Sequence, residues 1–160
     1  MVDVALYNEQ KDLCVSHRQI QAVVEQFLDV EQLSCDLVEV HLVDSKRIAD
    51  LHSEYFDDPT TTDCISFPID EPNSEEYCVL GTLFLCPKTA IDYAKSHGGE
   101  PYEELTLYLV HGLLHLIGYD DIEEQQKAEM RQQESKHMRA LKDAGRLLIP
   151  LEREEIEHGS

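Results

Sequence analysis

Apolar positions along the chain recur with two periods. Val2, Val4 and Leu6 alternate with their neighbours, so residues 2–7 read as a β-strand. Ser16 stands at a cap position, and Ile20, Val23, Val24 and Phe27 then recur at helical spacing to about Asp29. Residues 37–43, with Leu37, Val38, Val40, Leu42 and Val43, read as a second strand, and Asp44 or Ser45 caps a short helix ending near Tyr55. Asp57-Asp58-Pro59 is a turn or loop signal. Residues 62–67 form a short strand stopped by Pro68, residues 70–76 a polar loop, and residues 77–86 a strand in which Gly81 marks a bulge or a close approach. Pro87 opens a helix to about His97, which Gly98-Gly99 ends. Residues 101–117 carry the strongest helical pattern, broken by Gly118-Tyr119-Asp120-Asp121. A second long helix, polar on most faces, runs from Ile122 to about Ala144 and stops at Gly145. Strands come early and the longest helices late, which predicts an α+β fold, a small mixed sheet with helices packed against it.

Composition narrows the picture. The 160 residues fit one domain, assigned to residues 1–150, with an acidic, frayed tail over 151–160. Five cysteines, an odd number without a CxxC pair, read as reduced and mostly buried thiols rather than a zinc site. No apolar run approaches the roughly 18 residues of a membrane span, and Met1-Val2-Asp3-Val4 lacks a basic start before an apolar stretch, so no membrane role is predicted and the cytoplasm is the expected compartment. The net charge is −20, and the 13 Lys and Arg read as scattered, without a consecutive basic tract. That balance argues against a generic nucleic-acid binder while leaving room for a local basic cleft.

The chemistry concentrates in His111-Gly112-Leu113-Leu114-His115-Leu116-Ile117-Gly118-Tyr119-Asp120-Asp121. His111 and His115, four apart on a helix, share one face one turn apart and can ligate one metal ion. Gly118 lets the chain leave the helix with positive φ, so Asp121 can supply a third ligand. Two imidazoles and one carboxylate with an open fourth position make a catalytic zinc pattern. Asp63 and Ser66 are candidates to line the cleft beside the metal, and Thr62 and Asp63 could equally satisfy backbone groups at a strand start. Asp120 is a candidate to orient a ligand histidine, with capping of the next helix the favoured alternative. Tyr119 is assigned to packing, Met130, Glu134 and Met138 to an ordinary core-and-surface helix pattern, and His52, His97, His137 and His158 to the surface. The spacing is similar to that of metzincin-type metalloproteases, whose general base is a Glu directly after the first His; Gly112 in that place argues against a protease.

The same residues resemble the YbeY family of bacterial endoribonucleases and ribosomal RNA maturation factors. The family carries HGxLHLxGYDH, and residues 111–121 read HGLLHLIGYDD. The family's TDVLSFP appears as Thr62-Asp63-Cys64-Ile65-Ser66-Phe67-Pro68, and its glycine-bearing strand as Leu80-Gly81-Thr82-Leu83-Phe84-Leu85. The resemblance implies a four-stranded sheet with about five helices and metal-dependent cleavage of single-stranded RNA. It also implies roles in 16S rRNA 3′-end maturation and ribosome quality control, with a zinc or related divalent ion on the three motif ligands. Three departures bear on this. Asp121 replaces the family's third His, which preserves a ligand and favours harder ions. Phe56 follows Tyr55 where the family has an arginine, removing a phosphate clamp, and Gly81-Thr82 replaces Gly-Asp. Lys46, Arg47 and Lys88 are candidates to compensate. The alternative is a non-catalytic, metal-stabilised ribosome-assembly factor that binds ribosomal proteins or an assembly GTPase; a metal-dependent peptide hydrolase is a third reading.

Overall fold

The computed structural model describes residues 1–56 and 62–151. The elements are β1 (Asp3–Glu9), α1 (His17–Glu31), β2 (Leu37–Val43), α2 (Ser45–Phe56), β3 (Cys64–Pro68), β4 (Val79–Leu85), α3 (Pro87–His97), α4 (Pro101–Leu116) and α5 (Glu124–Asp143). The expected turn at Asp57-Asp58-Pro59 and the acidic tail beyond Leu151 lie outside the described residues. The strands form one sheet of order β1-β2-β4-β3. β1, β2 and β4 run parallel, and β3 pairs antiparallel with β4. This is the mixed four-stranded α+β architecture with five helices.

Parallel neighbours need a crossover, and α1 supplies it between β1 and β2. Ser16 caps α1 by accepting from the Gln19 N–H at 3.2 Å, and Gln32 ends it with φ 56°. Asp44 caps α2 by accepting from the Arg47 N–H at 2.8 Å. One face of the sheet carries the main core: Val38, Val40, Leu80, Leu83 and Leu85 pack against Phe27 of α1, Leu109 and Leu113 of α4 and Met130 of α5. α2 covers part of the other face through Ile48 and Leu51, against Val43, Ile65 and Cys86. α4 is apolar nearly all round because it is enclosed between the sheet, α3 and α5.

Two sequence expectations about glycine and proline resolve here. The β2–β4 register shifts beside Leu37 and Val38, so Gly81 sits at an irregularity as well as at a close approach. Pro68, expected to stop β3, remains within it, opposite Gly81 at the sheet edge, where a missing N–H is tolerated. Among the described residues no helix is long and apolar enough to cross a membrane. All five cysteines are free; Cys35, Cys78 and Cys86 are buried, and Cys14 is exposed.

Candidate metal centre

α4 places His111 and His115 on consecutive turns of one face, as their spacing requires. The helix then stops. Tyr119 N–H donates to the Leu114 carbonyl at 3.0 Å, and Gly118 adopts φ 111°, a value that favours glycine. The reversed chain returns Asp121 to the two imidazoles. His111 Nε2 lies 3.0 Å from His115 Nε2 and 3.5 Å from Asp121 Oδ2, and His115 Nε2 lies 3.7 Å from Asp121 Oδ1. One ligand atom from each of the three residues falls within 4.8 Å of the others. Ligands at about 2.0–2.1 Å from a tetrahedral zinc stand about 3.3 Å apart. The triad therefore has the donor types and the spacing to hold one divalent ion.

A fourth residue fixes the arrangement. Glu134 Oε2 of α5 lies 2.6 Å from His111 Nδ1. A carboxylate only accepts, so Nδ1 carries the hydrogen and the neutral ring leaves Nε2 with a lone pair that a divalent ion could take. Burial works against the His111 cation, but Glu134, followed by Asp63 and Asp121, holds its pKa above the usual histidine value. Glu134 is thus not the ordinary helix-pattern residue that its sequence position suggests. Met130 and Met138 do pack in or against the core as that pattern predicted.

Asp63 immediately precedes β3, and its charge is among the causes that raise the pKa values of His111, Glu104 and Tyr108. Thr62 Oγ1 also donates to Asp63 Oδ1 at 3.5 Å, a contact between two side chains rather than with the backbone groups expected at a strand start. Burial first, then Glu104 and Asp63, pushes the Tyr108 phenol well up, and Glu104 is likewise raised by burial and by Asp63. Ser66 alternates onto the same side of β3 as Cys64, the side that meets α4 at Gly112. Asp120 does not cap α5. The N-cap is Glu123, which forms a reciprocal capping box with Gln126, and the exposed Asp120 accepts from the Asp121 N–H at 3.3 Å. The helix opens at Glu124, so Ile122 stands outside it. Tyr119 packs against the core as expected.

The other histidines divide. His97 is exposed and stacks on Tyr93, and His52 lies against Phe56. His158 lies outside the described residues. His137 is not a surface residue: its side chain is 1% exposed, stacked on Phe27 and 2.6 Å from Glu31 Oε2. Of the candidate compensating cations, Lys88 pairs with Asp92 at 3.0 Å, and Lys46 and Arg47 are exposed on α2.

The sequence model of the family described as Endoribonuclease YbeY matches residues 5–142. A protein named endoribonuclease YbeY from Protochlamydia amoebophila is 52% identical over 135 residues, covering 84% of this chain and 90% of the relative. One of the same name from Chlamydia trachomatis serovar L2 is 36% identical over 149 residues and covers 92% of each. The solution structure of a Thermotoga maritima protein superposes with a TM-score of 0.63 at 22% identity, over 90% of this chain and 92% of that one, a likeness of fold. The extent of these matches, together with the HGLLHLIGYDD segment on α4 and its turn, places the chain in the endoribonuclease YbeY family.

Proposed function

We propose that the protein is a zinc-dependent endoribonuclease that cleaves single-stranded RNA, with residues 1–150 as its one catalytic domain. Its place is the cytoplasm, in 16S rRNA 3′-end maturation and ribosome quality control. The observation that carries this reading is the convergence of His111, His115 and Asp121 within 4.8 Å, in a chain of the endoribonuclease YbeY family. Two imidazole nitrogens and a carboxylate suit zinc, and the carboxylate admits harder divalent ions. An ion held there would supply Lewis acidity towards a phosphate oxygen. The chain's own residues do the positioning. Glu134 locks the His111 ring with Nε2 towards Asp121, and Gly118 returns Asp121 to the helix. Asp63 and Ser66 line the β3 side of the cleft.

Gly112 fits this chemistry better than peptide hydrolysis. A Cβ added there would stand 2.8 Å from Cys64 Sγ, so the helix position after the first histidine has no room for the protease glutamate. Incubation of purified protein with a single-stranded rRNA fragment tests the reading. Cleavage lost on chelation, restored by Zn²⁺ and absent from His115→Ala supports it; cleavage that survives chelation or His115→Ala refutes it.

One observation favours the second reading, a metal-stabilised assembly factor without catalysis. Phe56, 55% exposed, stands where the family carries its phosphate-binding arginine. The charge of −20 also suits basic ribosomal proteins as partners. Rescue of an rRNA-processing defect by His115→Ala would select this reading.

A further inference from the structure

The sequence expectation of scattered cations does not survive folding. Six of the 13 Lys and Arg lie between residues 127 and 146: Lys127, Arg131, Lys136, Arg139, Lys142 and Arg146. Five of them belong to α5. Arg131, Ser135, Arg139 and Lys142 follow the i, i+4, i+8, i+11 spacing of one helix stripe, and Gln132 and Lys136 border it. All six of these residues are exposed. Arg131, Gln132, Ser135, Lys136 and Arg139 line a shallow concavity of ≈ 540 Å³. Between Met130 and Lys142 the only acidic residue is Glu134, whose carboxylate is turned to His111, and the exposed Glu129 and Asp143 flank the segment. Among the described residues no carboxylate pairs with Arg131, Arg139 or Lys142, whereas Lys136 lies 3.4 Å from Glu31.

We propose that this face of α5 is the track for the phosphate backbone of a single-stranded RNA on its way to the metal centre. It deepens the endoribonuclease reading and rests on it for the identity of the ligand. Charge complementarity carries the argument: in a chain of net charge −20, a polyanion is repelled by most of the surface and held where cations are segregated. Location supports it, because α5 touches the metal centre through Glu134 and follows directly on the turn that carries Asp121. Arg131 is one turn from Glu134 on the adjoining face. Length is adequate as well. From Arg131 to Lys142 the helix rises about 16 Å, the span of about five phosphates in a stacked strand. The guanidinium groups of Arg131 and Arg139 grip phosphate oxygens in pairs, a geometry that lysine lacks. The track also supplies cations that Phe56 does not.

Binding of a fluorescent oligouridylate, followed by anisotropy in EDTA across a salt series, separates the track from the chemistry. Three phosphate contacts, to Arg131, Arg139 and Lys142, give a log–log salt slope of about −2.1. Arg131→Gln/Arg139→Gln should reduce its magnitude by about 1.4 and weaken binding roughly tenfold at 0.1 M salt. Lys11→Gln/Lys95→Gln removes the same charge from exposed sites outside α5 and should leave the slope unchanged. An α5 variant with the wild-type slope, equal losses in both double variants, no RNA binding by wild type, or preference for polyaspartate over RNA each overturns the track. RNA cleavage that persists beside such a result keeps the endoribonuclease reading, whereas α5-dependent binding without metal-dependent cleavage keeps the track and removes that reading.

Discussion

Glu134 and His111, 23 positions apart, meet at 2.6 Å between Oε2 and Nδ1, and this contact decides which nitrogen of the imidazole faces Asp121. Helix α4 carries the imidazole, and α5 carries the carboxylate that orients it. Removal of the carboxylate in Glu134→Ala should lower metal affinity by about 10–100-fold, the range for partners behind a ligand. Glu134→Gln keeps an accepting oxygen for Nδ1 and should lose less. Competition against a metal-sensitive dye reads both; equal affinity in Glu134→Ala and wild type contradicts the role.

Asp121 sets the character of the site. Its carboxylate approaches both Nε2 atoms, at 3.5 and 3.7 Å, where the family carries imidazole. Imidazole is the softer ligand, so Asp121→His should raise the preference for Zn²⁺ over Mn²⁺ in competition titrations. An unchanged or reversed preference contradicts the assignment of Asp121 as a ligand.

His137 predicts a pH dependence of stability. Burial pushes its imidazolium down, against the pull of Glu31. A histidine held below its unfolded value of about 6.5 favours the folded state while neutral. Its contribution is full above that pH and is lost as the pH falls through the folded value. The thermal stability of wild type should therefore decline relative to His137→Gln as the pH falls below about 6.5. The difference between the two proteins cancels His111, whose raised pKa acts with the opposite sign. A wild type that gains on the variant at low pH would show that Glu31 dominates.

Two glycines mark where the metal helix is pressed onto the sheet. A Cβ at Gly81 would stand 2.5 Å from Leu116 Cδ2 and 2.6 Å from the Phe67 carbonyl oxygen, and one at Gly112 2.8 Å from Cys64 Sγ and Leu83 Cδ2. Overpacking costs about 1–3 kcal/mol, or about 2–4 °C of Tm per kcal/mol at this size. Gly112→Ala should recover in a Cys64→Ala/Leu83→Ala background, judged against that background alone, because only side chains obstruct it. Gly81→Ala should not recover with Leu116→Ala, because the Phe67 backbone remains. Recovery of the second pair contradicts the contact.

What the sequence made legible was local. The His111–His115 spacing, the break at Gly118 and the caps at Ser16 and Asp44 are all written within a few residues, and the structure places them as read. The features that escaped depend on contacts across the fold. Glu134 reaches His111 only because α5 packs on α4, and His137 is buried only because α1 brings Phe27 and Glu31 to it. The cap at Glu123 displaced Asp120 because Gln126 completes a capping box that Asp120 lacks. The α5 cations looked dispersed because helical periodicity, not adjacency, gathers them.

The proposed function stands on one ion held by His111, His115 and Asp121 together. Elemental analysis of untagged protein beside His115→Ala tests it most directly. About one zinc per wild-type chain, lost in the variant, is the predicted result. No bound metal in either protein, or the same metal content in both, would contradict it.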